Sequence, residues 1–191
     1  MIKKFELDLS SKTTILGVEL FRIKALISFG NVKEGELGGY VEKEDNLSHS
    51  GNAWVYGNAK VYGNAEVYGN AEVYGNAWVY GNAKVSGNAW VYGNAEVYGN
   101  AEVYGNAEVY GNAEVSGNAK VSKLNDYILF KNTWSSGRYF TYTKSNKMWK
   151  VGCFYGTGEE LVKKAYEDSE KSGKHYEAYV NFVKTLEALD K

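Results

Sequence analysis

From Gly51 to Ser122 the sequence Gly-Asn-Ala-X-Val-Tyr/Ser recurs twelve times without a break, a period of six over 72 residues. Within each unit Ala, X, Val and Tyr alternate as strand residues do, with Ala and Val on one side and X and Tyr on the other. Gly-Asn follows, two residues that tolerate positive φ, so the chain turns there. A strand of four and a corner of two cannot bury its valine alone; stacked copies can. Three units make a triangular coil of 18 residues, and twelve units make four coils. At ~4.8 Å between stacked strands the prism is roughly 19 Å long. Valine fills the axis, and alanine sits near the corner where space is short. Twelve buried valines contribute on the order of 18–36 kcal/mol before chain entropy is subtracted. Two degenerate units, Gly39–Glu44 and Asp45–Ser50, precede the run in phase and place His49 at a valine position.

The repeat holds twelve of the 22 glycines and nine of the 17 tyrosines, and the chain has no proline, so every strand N–H is free to pair. Glycine without proline excludes collagen, and a hydrophobic fraction of 44% argues against disorder. A net charge of -1 argues against a general nucleic-acid binder. No run approaches the ~20 apolar residues of a membrane span, so no membrane partner is expected. The first residues carry no apolar run of the signal-peptide type. The single cysteine, Cys153, has no internal disulfide partner, which points to a reducing cytoplasm.

The Val-Tyr-Gly-Asn-Ala-X pattern resembles the hexapeptide repeat of left-handed β-helix proteins. That resemblance implies a mainly β fold, a left-handed parallel β-helix of about four to five triangular coils over residues 39–122. The hand comes from the resemblance and not from the spacing.

Residues 1–38 lack the repeat. Phe5-Glu6-Leu7-Asp8 and Val18-Glu19-Leu20-Phe21-Arg22-Ile23 alternate as strands, and we read an N-terminal β cap over the first coil. An open coil end would be an unpaired edge, so a cap is expected. Residues 123–191 read as a small C-terminal α+β domain. Strands are expected at residues 127–131, 138–143 and 147–155, the last one burying Cys153. Thr157-Gly158-Glu159-Glu160 is a capping box that opens a helix ending near Gly173, and a second helix follows from His175 to Leu189.

The whole arrangement resembles a group of proteins encoded by bacteriophages and prophages. The matching residues are Gly38-Gly39-Tyr40-Val41-Glu42, the Gly-Asn-Ala runs, and Gly152-Cys153-Phe154-Tyr155-Gly156-Thr157 with Glu159-Glu160. The resemblance implies origin and architecture and carries no activity with it.

Acyltransferases with the same kind of coil use a coil histidine as general base. Here residues 51–122 contain no histidine. His49 reads as a capping residue and His175 as a helix residue. Cys153 would need a base such as His175 beside it to act as a nucleophile. Two histidines and one cysteine far apart give no metal-ligand spacing. No catalytic residue, cofactor or metal is expected.

Function then falls on the outward positions, which sort into three faces. The first carries Trp54/Tyr56, Glu72/Tyr74, Trp90/Tyr92 and Glu108/Tyr110. The second carries Lys60/Tyr62, Trp78/Tyr80, Glu96/Tyr98 and Glu114/Ser116, and the third Glu66/Tyr68, Lys84/Ser86, Glu102/Tyr104 and Lys120/Ser122. The first face keeps its tyrosine column unbroken. Its aromatics would leave roughly 600 Å² of apolar surface, the upper end for a soluble monomer. That reads as a protein-interaction surface. Trp78, Trp134, Arg138 and Trp149 join the candidate contacts by residue type. The expected function is a non-enzymatic interaction module. In its narrow form it is a phage-encoded homo-oligomer, dimer or trimer, that binds and inhibits a host bacterial defence factor. Alternatives are a small-molecule-binding coil, nucleotide-sequestering or acyltransferase-like, and an acidic DNA mimic. The repeat's six Glu and three Lys give a net of -3. Duplex DNA carries about eleven charges over the same roughly 19 Å, which disfavours the mimic.

Overall fold

The computed structural model describes residues 2–189. Met1, Asp190 and Lys191, which the expected terminal domains include, lie outside the described residues.

The chain opens with a hairpin, β1 (Phe5–Ile15) and β2 (Val18–Ala25), followed by β3 (Leu37–Val41). The repeat then supplies twelve two-residue strands, β4 to β15, one X-Val pair per unit from Trp54–Val55 to Lys120–Val121. Strands from every third unit pair in parallel and build three faces: β4-β7-β10-β13, β5-β8-β11-β14 and β6-β9-β12-β15. The regular ladder is shorter than the expected strand of four, because Ala and Tyr flank it as it bends into the corner. All twelve alanines and all twelve valines are buried, so the axis is apolar throughout. In the first three full coils each X and Tyr/Ser N–H donates to an Ala or Val carbonyl of the following coil, as in Trp90 N–H to Ala107 O at 2.8 Å and Tyr92 N–H to Val109 O at 2.9 Å.

The corners divide their work between the two residues. The repeat glycines hold φ between +60° and +76°, where a side chain is strained. The asparagines instead form ladders. Each Nδ2 donates to the Oδ1 one coil on, at 3.0–3.4 Å, along Asn64, Asn82, Asn100 and Asn118 and along two shorter columns.

A fifth coil precedes these four, in a register that differs from the sequence reading. Val41 pairs with Val61, and Leu47 bridges Val67, so these two occupy the valine positions. Both are buried. Two extra residues between Leu47 and Val55 absorb the slip, and His49 is displaced from the axis. Its ring stacks on Phe5 at 4.3 Å, its Nδ1 accepts from Lys4 N–H at 3.2 Å, and Nε2 faces Glu44 at 3.5 Å.

The N-terminal segment caps this end and extends one face, in the order β1-β2-β3-β5-β8-β11-β14. The incomplete fifth coil donates to part of the first full coil, as in Tyr40 N–H to Ala59 O and Ser48 N–H to Val67 O, and side chains serve other carbonyls. The buried Lys4 Nζ donates to Ala53 O at 2.8 Å, and Asn46 Nδ2 donates to Ala65 O at 2.8 Å and to Gly63 O at 3.1 Å. Burial pushes the Lys4 ammonium down to about 8.

The other end is closed by the C-terminal domain. Its sheet is antiparallel and has four strands, β16 (Tyr127–Lys131), β17 (Tyr139–Thr143), β18 (Met148–Val151) and β19 (Phe154–Gly156). The expected third strand is split in two by a turn at Gly152-Cys153. Cys153 is therefore exposed rather than buried. Helices α1 (Gly158–Asp168) and α2 (Glu170–Leu189) follow. The capping box forms: Thr157 Oγ1 accepts from Glu160 N–H at 3.3 Å, and Glu160 Oε2 accepts from Thr157 N–H at 2.8 Å. The break between helices falls at Ser169, and Gly173 lies inside α2, where the Tyr166 ring leaves no room for a side chain. N–H groups of the last coil find side-chain acceptors here: Glu114 on Thr141 Oγ1 at 3.0 Å, Lys120 on Ser145 Oγ at 2.8 Å, and Ser122 on Asp126 Oδ2 at 2.7 Å.

Candidate interaction surface

The outward positions alternate with the buried valines, so each X and Tyr stands on a rigid ladder. On the first face Tyr74 and Tyr92 stack at 4.8 Å and Tyr92 and Tyr110 at 5.3 Å, with planes within 14°. Trp90 meets Tyr74 edge-on at 6.4 Å and remains 43% exposed, and Tyr110 is 40% exposed. The Tyr92 hydroxyl donates to Glu108 at 3.0 Å. Burial and that bond to the carboxylate push the Tyr92 phenol up to about 12. Desolvation raises the Glu72 carboxyl above its ordinary range. The Tyr92 phenol is neutral at ordinary pH, and its hydroxyl engages the carboxylate of Glu108.

Two of the expected surface tryptophans are core residues. Trp54 is fully buried. Phe29 at 5.4 Å and Phe5 at 6.2 Å close over it from the cap. Gly38 makes this possible, since a Cβ there would come within 2.8 Å of the indole. Tyr56 beside it is partly buried, and its phenol is pushed up to about 12, chiefly by desolvation. Trp149 is also buried, packed on Tyr142 at 5.0 Å in the core of the C-terminal domain. The exposed apolar surface of the first face is therefore smaller than its composition suggests. It centres on Trp90 with Tyr74, Tyr92 and Tyr110, flanked by Glu72 and Glu108.

Trp78 stands on the second face, partly buried, with Lys60 Nζ 5.5 Å above its ring. Trp134 and Arg138 lie apart from both, in the C-terminal domain. Trp134 stacks on His175 at 4.3 Å, and Arg138 is exposed. His175 Nδ1 lies 2.7 Å from Lys171 O, and no contact joins His175 to Cys153 among the described residues. No group of three or more His, Cys, Asp or Glu could hold a metal ion among the described residues. No helix among them is long and apolar enough to cross a membrane.

A second tyrosine stack escaped the sequence reading. Tyr62, Tyr80 and Tyr98 stack at 5.1 and 4.9 Å on the second face. Ser116 ends that column at the coil where the C-terminal domain docks, and it is buried there under the Tyr155 hydroxyl, which donates to its carbonyl at 3.4 Å. The signal was present as a serine in the last unit only, next to the domain boundary.

Parallel ladders on three faces and an axis of valines define a β-solenoid repeat protein. The profile of the YdcK β-solenoid repeat matches residues 65–81 and 77–93, which lie wholly inside the regular coils. A comparison with curated proteins finds no match.

Proposed function

We propose that the chain is a non-enzymatic protein-interaction module whose binding surface centres on Trp90. The observation that carries this reading is a large indole left 43% exposed on a stack of three tyrosines whose backbone cannot move. Rigid aromatics lose little entropy on binding, and tryptophan and tyrosine dominate interface hot spots.

Area limits how such a surface works. One face is four residues wide, about 13 Å, and roughly 19 Å long, a footprint of about 250 Å². A stable interface takes ~800 Å² from each partner. The partner must therefore extend beyond the first face, onto Trp78 or onto Arg138 and the exposed turns of the C-terminal domain. The narrower form of the proposal is a phage-encoded oligomer acting in the host bacterial cytosol on a defence factor. The resemblance of residues 38–42 and 152–157 to phage and prophage proteins supports it.

Trp90→Ala tests the reading. The side chain is half out of the protein, so the unfolding midpoint should shift by no more than about 0.5 kcal/mol. Association, read by light scattering for the self-complex and by titration for a captured bacterial protein, should weaken by about 2 kcal/mol or more. Unchanged association in both measurements, or a monomer that captures nothing, would overturn it.

A further inference from the structure

The third face breaks the tyrosine ladder in a regular way. Its outward column reads Ser48, Tyr68, Ser86, Tyr104, Ser122, one residue per coil. Ser48 belongs to this column because its N–H donates to Val67 O, as Tyr68 N–H donates to Val85 O. On the other two faces rings on successive coils stack at 4.8–5.3 Å. Here every second ring is missing. Tyr68 and Tyr104 stand two coils apart, so their rings are separated by about 9.6 Å. Each is 39% exposed. Between them lies a cavity of about 250 Å³ lined by Tyr68, Lys84, Ser86, Glu102 and Tyr104.

The dimensions select what can enter. Half of that separation is about 4.8 Å, the spacing of rings within the complete ladders. One flat ring system placed over Ser86 would stack on both tyrosines. The volume is below the ~300–1,000 Å³ of pockets for drug-sized ligands, so a single ring system fits and little more. The charged groups of the floor are one donor, Lys84, and one acceptor, Glu102, beside the Ser86 hydroxyl. The ion pairs on this face run from Lys84 to Glu66 at 3.8 Å and from Lys120 to Glu102 at 3.3 Å. The two charges that line the slot are thus tied to partners outside it, with Lys84 at the level of the missing ring and Glu102 one coil on. All four side chains are about half exposed, and such contacts exchange readily for a ligand.

We propose that this slot is a binding site for a purine base whose edge carries a donor beside an acceptor, as the N6 amine and N7 of adenine do. Tyr68 and Tyr104 stack on its two faces, Lys84 donates to the ring nitrogen, and Glu102 accepts from the amine. The charges of Glu66, Lys84, Glu102 and Lys120 cancel, so the site reads the base and not a phosphate. Adenosine and AMP should bind alike. The site lies on a different face from Trp90 and stands or falls independently of the interaction surface.

Titration of the full chain with adenosine, followed by calorimetry or by NMR of the tyrosine rings, should give a Kd of roughly 1 mM, as suits two stacking contacts and two hydrogen bonds. 7-Deazaadenosine, lacking the acceptor, and the Tyr68→Ala variant should each bind roughly tenfold more weakly. Ser86→Tyr is the decisive variant. It supplies the missing ring from within, so it should raise the unfolding temperature while abolishing adenosine binding. Because it completes a ladder that the neighbouring faces already build, loss of binding there is not loss of folding. Adenosine binding by Ser86→Tyr as tight as by the parent chain would overturn the proposal. So would an absence of adenosine binding at several times the expected Kd, or binding of N-acetyltryptophanamide in place of adenosine.

Discussion

Two glycines of the repeat occupy the same position in sequence and differ in what stands over them. Gly93 has φ +76°, and a Cβ built there would lie 3.0 Å from Gly111 N and 3.1 Å from its O. Gly57 has φ +60°, and its nearest neighbour would be Gly75 O at 4.0 Å. Alanine at either site pays the left-handed backbone penalty, about 1 kcal/mol. Only Gly93→Ala also presses a methyl into the backbone of the next coil. That backbone is tied by Asn94 N–H to Gly111 O at 2.7 Å and cannot retreat without losing the bond. A lost backbone bond and the crowding cost about another 1–2 kcal/mol. We expect about 1 kcal/mol of destabilisation for Gly57→Ala and about 2–3 kcal/mol for Gly93→Ala. Urea unfolding followed by far-ultraviolet circular dichroism measures both. Equal losses at the two sites would refute the idea that corner glycines are required by coil-to-coil contact as well as by φ.

The ends and the ladders give two further expectations. Thr141→Val keeps the shape of a buried side chain and removes the acceptor for Glu114 N–H. It should cost about 1–3 kcal/mol in the same assay, and a neutral result would mean that the last coil does not need its cap. Stability should also follow pH in two directions. Lys4 has a folded pKa near 8 against 10.5 for the free side chain, so the unfolded chain binds more protons between these values and stability rises with pH there. The Tyr92 phenol is pushed up to about 12 by burial and its bond to Glu108, so its contribution is complete below the free value of 10.0 and is lost as pH climbs through about 12. A urea midpoint that falls steadily from pH 8 upward, or a rise that survives in Lys4→Met, would contradict this.

The regular coils were legible because each unit states its own structure. Alternation, a glycine at every corner and a valine in every unit repeat without conflict, so local pattern and global fold agree. What the sequence hid was contact between segments that local pattern does not join. Trp54 has the same position in its unit as Trp90, and the arrival of Phe5 and Phe29 from the cap makes one core and the other surface. His49 fell on a valine position by counting in sixes. Two extra residues before Val55 moved Leu47 there instead, a shift that the degenerate units gave no local reason to expect. In the C-terminal domain, Gly173 carries a helix-ending residue type in a helix interior, where the Tyr166 ring requires the small residue. Trp149 likewise reads as a contact residue until the sheet closes over it. The asparagine ladders were visible only as a preference for turns, because their second role requires the coil above.

The closed ends bear on how the protein can assemble. A bare coil end offers a row of backbone groups at the spacing of the next coil, and a second copy could continue it without limit. Here Lys4 and Asn46 donate to carbonyls at one end, and Thr141, Ser145 and Asp126 accept from N–H groups at the other. End-to-end stacking would have to displace these groups and the domains that carry them, leaving an ammonium and a carboxylate to be buried without partners. Such a cost, several kcal/mol for each ion, exceeds what a few exchanged backbone bonds return. The closed ends leave the faces as the open route for the association proposed above. Of these, the second is partly filled by its own lysine-tryptophan packing at Trp78, and the third alternates charge and leaves a slot sized for one ring. The first, with Trp90 standing clear of its tyrosine stack, is where a partner gains the most apolar contact.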